Sequence, residues 1–173
     1  MQDTPPFHPQ TKVTVDQNTP FEAVLGVRNT SDGYAGYVDF KLSYLNAERG
    51  QLPWFTEPSP DPDTALQRAR QQWKNLKRFG LDIKEQQSMG QSITVGKHTV
   101  LEATISTNLT KNGYVGCVTF KYAGLNLNNG QDPWQACGCS DADIAIGRAQ
   151  RYWTNLSRYA QAVAGIPYRS GST

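Results

Sequence analysis

Two acid–base pairs stand out: Glu22 with Lys41, and Glu102 with Lys121 at the same spacing. A carboxylate beside an amine could form an acid–base or Schiff-base site. Strand register offers a structural alternative, which we adopt. A loop at Thr30-Ser31-Asp32-Gly33 puts Glu22 directly across from Lys41 on the polar face of a hairpin. There, opposite charges add only about 0.2–1 kcal/mol.

Three cysteines, Cys117, Cys137 and Cys139, lie in the second half of the chain. Cys137-Gly138-Cys139 has the wrong spacing for a zinc knuckle or a thioredoxin-like pair. Unpaired thiols are the default, with a bridge from Cys117 to the later loop as the alternative. Neither His8 nor His98 has a second ligand at metal spacing. Asp61-x-Asp63 and Asp141-x-Asp143 resemble the start of a calcium loop, but the Gly and distal Glu are missing. They read instead as helix N-caps. No Gly-rich phosphate loop, GxSxG elbow or HExxH motif occurs. The sequence therefore leads us to expect no catalytic residue, metal or cofactor.

Trp54 and Trp134 each follow a proline in a segment that reads as a loop. Their rings either lid the core or serve as a ligand platform. Trp73 and Trp153 fall in apolar stripes and read as core. N-x-S/T sequons at Asn29, Asn108 and Asn155 read as accidental occurrences.

These pairs recur because the sequence matches itself. Shifted by 80 residues, positions 11–83 align with 91–163 without a gap, with 27 identities in 73 positions. Gly33-Tyr34-x-Gly36-x-Val38-x-Phe40-Lys41 matches Gly113-Tyr114-x-Gly116-x-Val118-x-Phe120-Lys121. Pro53-Trp54 matches Pro133-Trp134, and Trp73-x-Asn75-Leu76-x-Arg78 matches Trp153-x-Asn155-Leu156-x-Arg158. A repeat of fixed period reads as the structural unit. The cysteines align with Tyr37, Glu57 and Ser59, so the common fold does not need them. Replacing Cys117 by Tyr is accordingly expected to be tolerated.

Each unit begins with period-two patterning. Phe21, Ala23, Leu25 and Val27 share one face, as do Tyr34, Val38, Phe40 and Leu42; Tyr37, Asp39, Lys41 and Ser43 point the other way. In the second half Leu101, Ala103 and Ile105 point inward with Tyr114, Val118, Phe120 and Tyr122. Shorter runs, Lys12 to Val15 and Ser92 to Val95, precede the hairpins. A helical stripe follows, Leu66, Ala69, Trp73, Leu76 and then Ile146, Ala149, Trp153, Leu156. Gly80 and Pro167 mark the region of the helix ends. The expected fold class is α+β: a tandem duplication of a β-β-β-α unit, with one shared antiparallel sheet and two helices packed on one face. Its organisation is an N-terminal tail 1–10, repeats 11–83 and 91–163 joined by a linker 84–90, and a C-terminal tail 164–173. The repeats are expected to integrate into one domain.

Charge is unevenly distributed. Thr64 to Arg78 holds five cations and no acid, and Ile144 to Val163 holds three cations and no acid. With +2 overall, the remainder of the chain carries −6. Arg68, Asn75, Arg78, Arg148, Asn155 and Arg158 lie opposite the apolar stripes and are the candidate partner-binding residues. A solvated helix face is the alternative. Composition sets the outer bounds: 173 residues, 18% charged and 10% aromatic, describe a globular chain with a core rather than a disordered one. No apolar run is long enough to span a membrane, and no basic-then-apolar leader is present.

Three function classes remain. The first is a non-catalytic interaction or assembly protein, a homo-oligomer or one with another protein partner, secreted or part of a larger particle. The second is a nucleic-acid binder using the basic helix faces or the open sheet face. Its weak point is a modest basic content of 17 Lys plus Arg. An enzyme with a carboxylate site between the repeats ranks last.

Overall fold

The hairpin register follows the expected pairing. In the computed structural model, which describes residues 12–111 and 113–166, β1 (Val13–Val15), β2 (Ala23–Thr30) and β3 (Gly33–Phe40) form antiparallel neighbours. Ala23 opposes Phe40 and Thr30 opposes Gly33, so the turn itself is only Ser31-Asp32. A 3-10 turn (Ser43–Leu45) and a short helical turn, α1 (Ala47–Gly50), lead into β4 (Trp54–Phe55), which adds to β3 and completes a four-stranded sheet. Helix α2 (Pro62–Ser88) follows.

β5 (Ala103–Thr110) and β6 (Gly113–Phe120) form the second hairpin, with Ala103 opposite Phe120. A 3-10 turn (Ala123–Leu125), α3 (Leu127–Gly130), β7 (Trp134–Gln135) and α4 (Ala142–Val163) complete the described chain. Across the described residues the fold is α+β with two antiparallel sheets, of four and three strands, and four helices. One shared sheet was expected from the sequence, and the two sheets are in fact separate.

The chain divides into two compact units, Met1–Asn75 and Leu76–Thr173. In the first, Phe21, Ala23, Leu25, Val27, Val38 and Phe40 form the buried sheet face. The start of α2 covers this face at its closest point over Gly36. A Cβ there would collide with the Ala65 carbonyl oxygen and stand 3.0 Å from the Ala69 Cβ. The Trp73 indole N–H donates to the Phe21 carbonyl at 3.1 Å, tying the helix to the strand entrance.

In the second unit α4 covers β5 and β6 in the same manner. Gly116 lies under Ala145 and Ala149, and a Cβ there would collide with the Ala145 carbonyl oxygen. The Trp153 indole N–H donates to Leu101 O at 3.1 Å. The later part of α2 belongs to this unit. Its Phe79 packs against Phe120, Trp134 and Tyr159, with centroids 5.5, 5.6 and 6.0 Å away. The Tyr159 hydroxyl donates to the Leu76 carbonyl at 2.8 Å.

Four sequence expectations are corrected. First, α2 does not stop near Gly80, because Leu76, Phe79 and Ile83 continue a buried stripe through Ser88. A lone helical glycine costs only about 1 kcal/mol, which that burial exceeds. Most of the expected linker 84–90 is therefore helix, and the boundary between units falls after Asn75. Second, Ser92 to Val95 forms no ladder. The Gln91 N–H caps the helix by donating to Gln86 O across left-handed Gly90, and Ile93 is anchored by its buried side chain. Third, β5 is consequently an edge strand, and Ala103 and Ile105 are only half-buried. Fourth, Trp54 and Trp134 lie on short strands rather than in loops. The expectations for residues 1–10 and Pro167 lie outside the described residues.

The Gly36 and Gly116 contacts lead to a direct test. G36A or G116A should lower the urea midpoint by the equivalent of about 1–3 kcal/mol, because the helix must lift from the sheet. An unchanged midpoint would show that the helix can move without cost.

Candidate interaction surfaces

The first candidate pair forms as placed: Lys41 Nζ stands 3.8 Å from Glu22 Oε1, and Lys121 Nζ 3.9 Å from Glu102 Oε1. The lysines are exposed, however, while Glu22 and Glu102 do closer work. Glu22 Oε1 accepts the Asn18 N–H at 2.9 Å and Glu102 Oε1 accepts the His98 N–H at 2.7 Å. Asn18 and His98 both have left-handed backbones, with φ of 65° and 64°. Each carboxylate thus fastens a tight turn at the hairpin entrance. The His98 N–H, helped by Lys121, holds the Glu102 carboxyl below its ordinary pKa.

The expected N-caps also form. Asp141 Oδ1 accepts the Asp143 and Ile144 N–H groups at 2.7 and 3.3 Å. Asp61 accepts from the Asp63 and Thr64 amides and from the Thr64 hydroxyl, and this hydroxyl contributes most to lowering its pKa. Among the described residues no group of His, Cys, Asp and Glu is arranged to hold a metal ion.

The six partner-binding candidates are divided between the two units. Arg68 and Asn75 lie in the first unit, and Arg78, Arg148, Asn155 and Arg158 in the second. Arg68 Nη1 donates to the Glu57 and Pro58 carbonyls, both at 3.1 Å. Arg148 Nη1 donates to Cys137 O at 3.3 Å and Gly138 O at 3.1 Å. Each guanidinium staples the preceding loop to its helix, its Nη1 donating to two successive carbonyls. Arg78 reaches Asp82 at 3.4 Å and the carbonyls of Gly124 and Asn126. Burial raises the Asp82 pKa in spite of that cation. Asn75 Oδ1 accepts from Gln71 at 3.0 Å, and Asn155 and Arg158 are half-buried on α4. Arg68 and Arg78 therefore both have local partners, and only Arg78 reaches an acid in these contacts.

Trp54 and Trp134 are 3% and 0% exposed, and their indole N–H groups donate to Leu45 O and Leu125 O at 2.9 and 2.8 Å. Protein already covers the faces on which a ligand would stack, which favours the core-lid alternative.

Two features were not read from the sequence. Asn46 Oδ1 accepts the Phe40 N–H and its amide donates back to Phe40 O; Asn126 does the same at Phe120. Each side chain stands in for a neighbouring strand, and the matched Leu-Asn at 45–46 and 125–126 was its signal. The second feature is an aromatic group on the outward face of the first sheet. Tyr37 and Phe55 meet edge-to-face, with centroids 6.3 Å apart, and the Arg28 guanidinium lies 5.4 Å from the Phe55 centroid. Tyr37 lies over Gly26, where a Cβ would collide with the ring. Burial, with the nearby Asp39 carboxylate, raises its phenol pKa.

In the second unit the corresponding opposed pair is Ser106 and Cys117. Cys117 is 3% exposed, and burial pushes its thiol pKa up. All three cysteines are unbridged.

These contacts separate roles that charge alone confuses. E102A should lower the melting temperature by losing the His98 turn bond, whereas K121Q should lower it much less, as read by thermal melts. Because the folded Glu102 pKa is depressed, its contribution is present above the unfolded pKa and disappears as pH falls through the folded one. Equal losses from the two substitutions would make the ion pair the dominant contact.

Tyr at 117 would need the glycine floor that Tyr37 has, so the expected tolerance of C117Y is revised. C117Y alone should cost about 1–3 kcal/mol, and S106G should recover part of that loss in the double variant. Additive losses in denaturant titrations would refute this dependence.

Comparison with protein-family models, with curated proteins and with solved structures gives no match.

Proposed function

We propose that this is a non-catalytic interaction or assembly protein built from an internal duplication. One observation carries the reading: three pairs of polar residues that match across the 80-residue offset hold backbone in place. Asn46 and Asn126 bond strands, Arg68 and Arg148 bond loops, and Glu22 and Glu102 bond turns. Matching polar positions thus maintain a scaffold, and recognition is left to positions that differ between the halves. The two turns with left-handed residues, Glu48-Arg49 and Asn128-Asn129, support the duplication for the same reason.

The staples also change which cations are suited to a partner. Replacing Arg68, Arg78, Arg148 and Arg158 together would strip bonds to loop carbonyls and confuse unfolding with dissociation. Arg70 and Lys74 are exposed one turn apart on α2, and they are the cations we assign to an acidic partner surface, foremost another copy of this chain. R70Q/K74Q should leave the melting temperature within a degree or two and shift the native mass toward monomer. An unmodified protein that is monomeric at all concentrations would end the self-assembly reading. Salt-sensitive retention of nucleic acid, lost in the same variant, would move the function to the second class.

A further inference from the structure

We propose that β5 is a self-pairing edge: two copies of the chain join β5 to β5 antiparallel and make one six-stranded sheet from two three-stranded ones. This contact rests on the assembly reading and is independent of Arg70 and Lys74. Among the described residues no strand pairs with β5 on the side away from β6. In the first unit β1 fills the corresponding place, with Val13 opposite Leu25 and Val15 opposite Ala23. The matching Ile93-Thr94-Val95 forms no ladder, so a row of backbone groups on β5 is left open.

The register identifies those groups. The Lys121 N–H donates to Glu102 O at 2.9 Å. Hydrogen-bonded pairs recur at every second residue of an antiparallel ladder, so Thr104, Ser106, Asn108 and Thr110 bond to β6. Ala103, Ile105, Thr107 and Leu109 therefore aim their N–H and C=O groups away from it. The far side of β6 agrees, since Phe120 and Gly116 bond there to Asn126 and Ala136.

This edge carries none of the usual guards. Residues 103–110 include no charge, proline or glycine, whereas exposed edges are commonly protected by lysine or proline. Leu109 is 70% exposed and shares a face with half-buried Ile105. Pairing with Thr107 opposite the partner's Thr107 sets each Leu109 against an Ile105 and gives the outward N–H groups of 105, 107 and 109 an acceptor. Charge selects a second copy and its direction. Glu102 precedes β5 and exposed Lys111 follows it, so antiparallel copies bring opposite charges together at both ends, and parallel copies would bring like charges together. The helices leave room for this arrangement. α4 makes its tight approach over Gly116 on β6, one strand in from the edge. The two β6 strands of the joined sheet are three spacings apart, about 14 Å, which exceeds the roughly 8–10 Å at which helices pack.

The test follows amide exchange by NMR in the full-length chain at increasing concentration, with native mass measured alongside. The Ile105, Thr107 and Leu109 amides should gain protection as a dimer forms. L109P removes one outward N–H without touching the β6 ladder, and should weaken the dimer about tenfold or more. T107K keeps every backbone donor but sets two lysines face to face, and should weaken it likewise. Amide exchange in the unmodified chain decides the matter if a variant fails to fold. A dimer with these amides unprotected, or one lost in R70Q/K74Q yet unaffected by L109P and T107K, would overturn the β5 contact and leave the assembly reading standing. A monomer at every concentration would overturn both. Protection that does not vary with concentration would overturn the contact by assigning the edge to Ile93-Thr94-Val95 of the same chain.

Discussion

The approach of a helix to a glycine on the central strand sets the geometry of each unit. At Gly36 the Ala65 and Ala69 turn of α2 meets the sheet where a single methyl group would collide with backbone, and at Gly116 Ala145 and Ala149 meet it likewise. Close packing removes apolar surface from water on both sides at once, and it leaves no slack for a larger residue. The other contacts of the helix depend on that depth. Trp73 and Trp153 reach the carbonyls of Phe21 and Leu101 only from a helix held this close. The tight contact thus fixes both the height and the position of the helix over its hairpin.

The second demand comes from backbone that regular structure cannot satisfy. After each hairpin the chain passes through a 3-10 turn, two left-handed residues and a strand of two residues. Such a path leaves amides and carbonyls without ladder partners, and burying them unpaired would be costly. Side chains fill the places. Asn46 and Asn126 mimic a strand edge, Trp54 and Trp134 cap carbonyls from inside the core, and Arg68 and Arg148 gather two loop carbonyls each. Residues that look like recognition chemistry in one dimension are the fasteners of an irregular loop in three.

Difference between the halves then becomes informative. The outward pair Gly26–Tyr37 carries an aromatic ring where Ser106–Cys117 carries two small polar or sulfur groups. An aromatic ring across a strand glycine restores contact that the glycine lacks, so the pair is coupled and neither member transfers alone. Phe55 and Arg28 extend this group, while Gln135 stands opposite Cys117 in the second sheet. The two outward faces therefore offer different chemistry on similarly paired strands.

The sequence by itself determined the hairpins, their register, the capped helix starts and the inward face of the first sheet. Each is governed by local periodicity or by residues a few positions apart, and period-two alternation leaves little choice of register once one face is apolar. Tertiary structure decided the rest. Whether α2 stops near Gly80 depended on the core available to Phe79 and Ile83 in the second unit, which no local signal at Gly80 reveals. Whether Ser92 to Val95 paired as a strand depended on the helix cap just before it. The roles of Arg68, Arg78 and Arg148 were hidden for a plainer reason: their acceptors include backbone carbonyls, which every residue carries. A side chain's own chemistry is written in the sequence, but a carbonyl becomes a partner only when the fold leaves it unpaired and within reach.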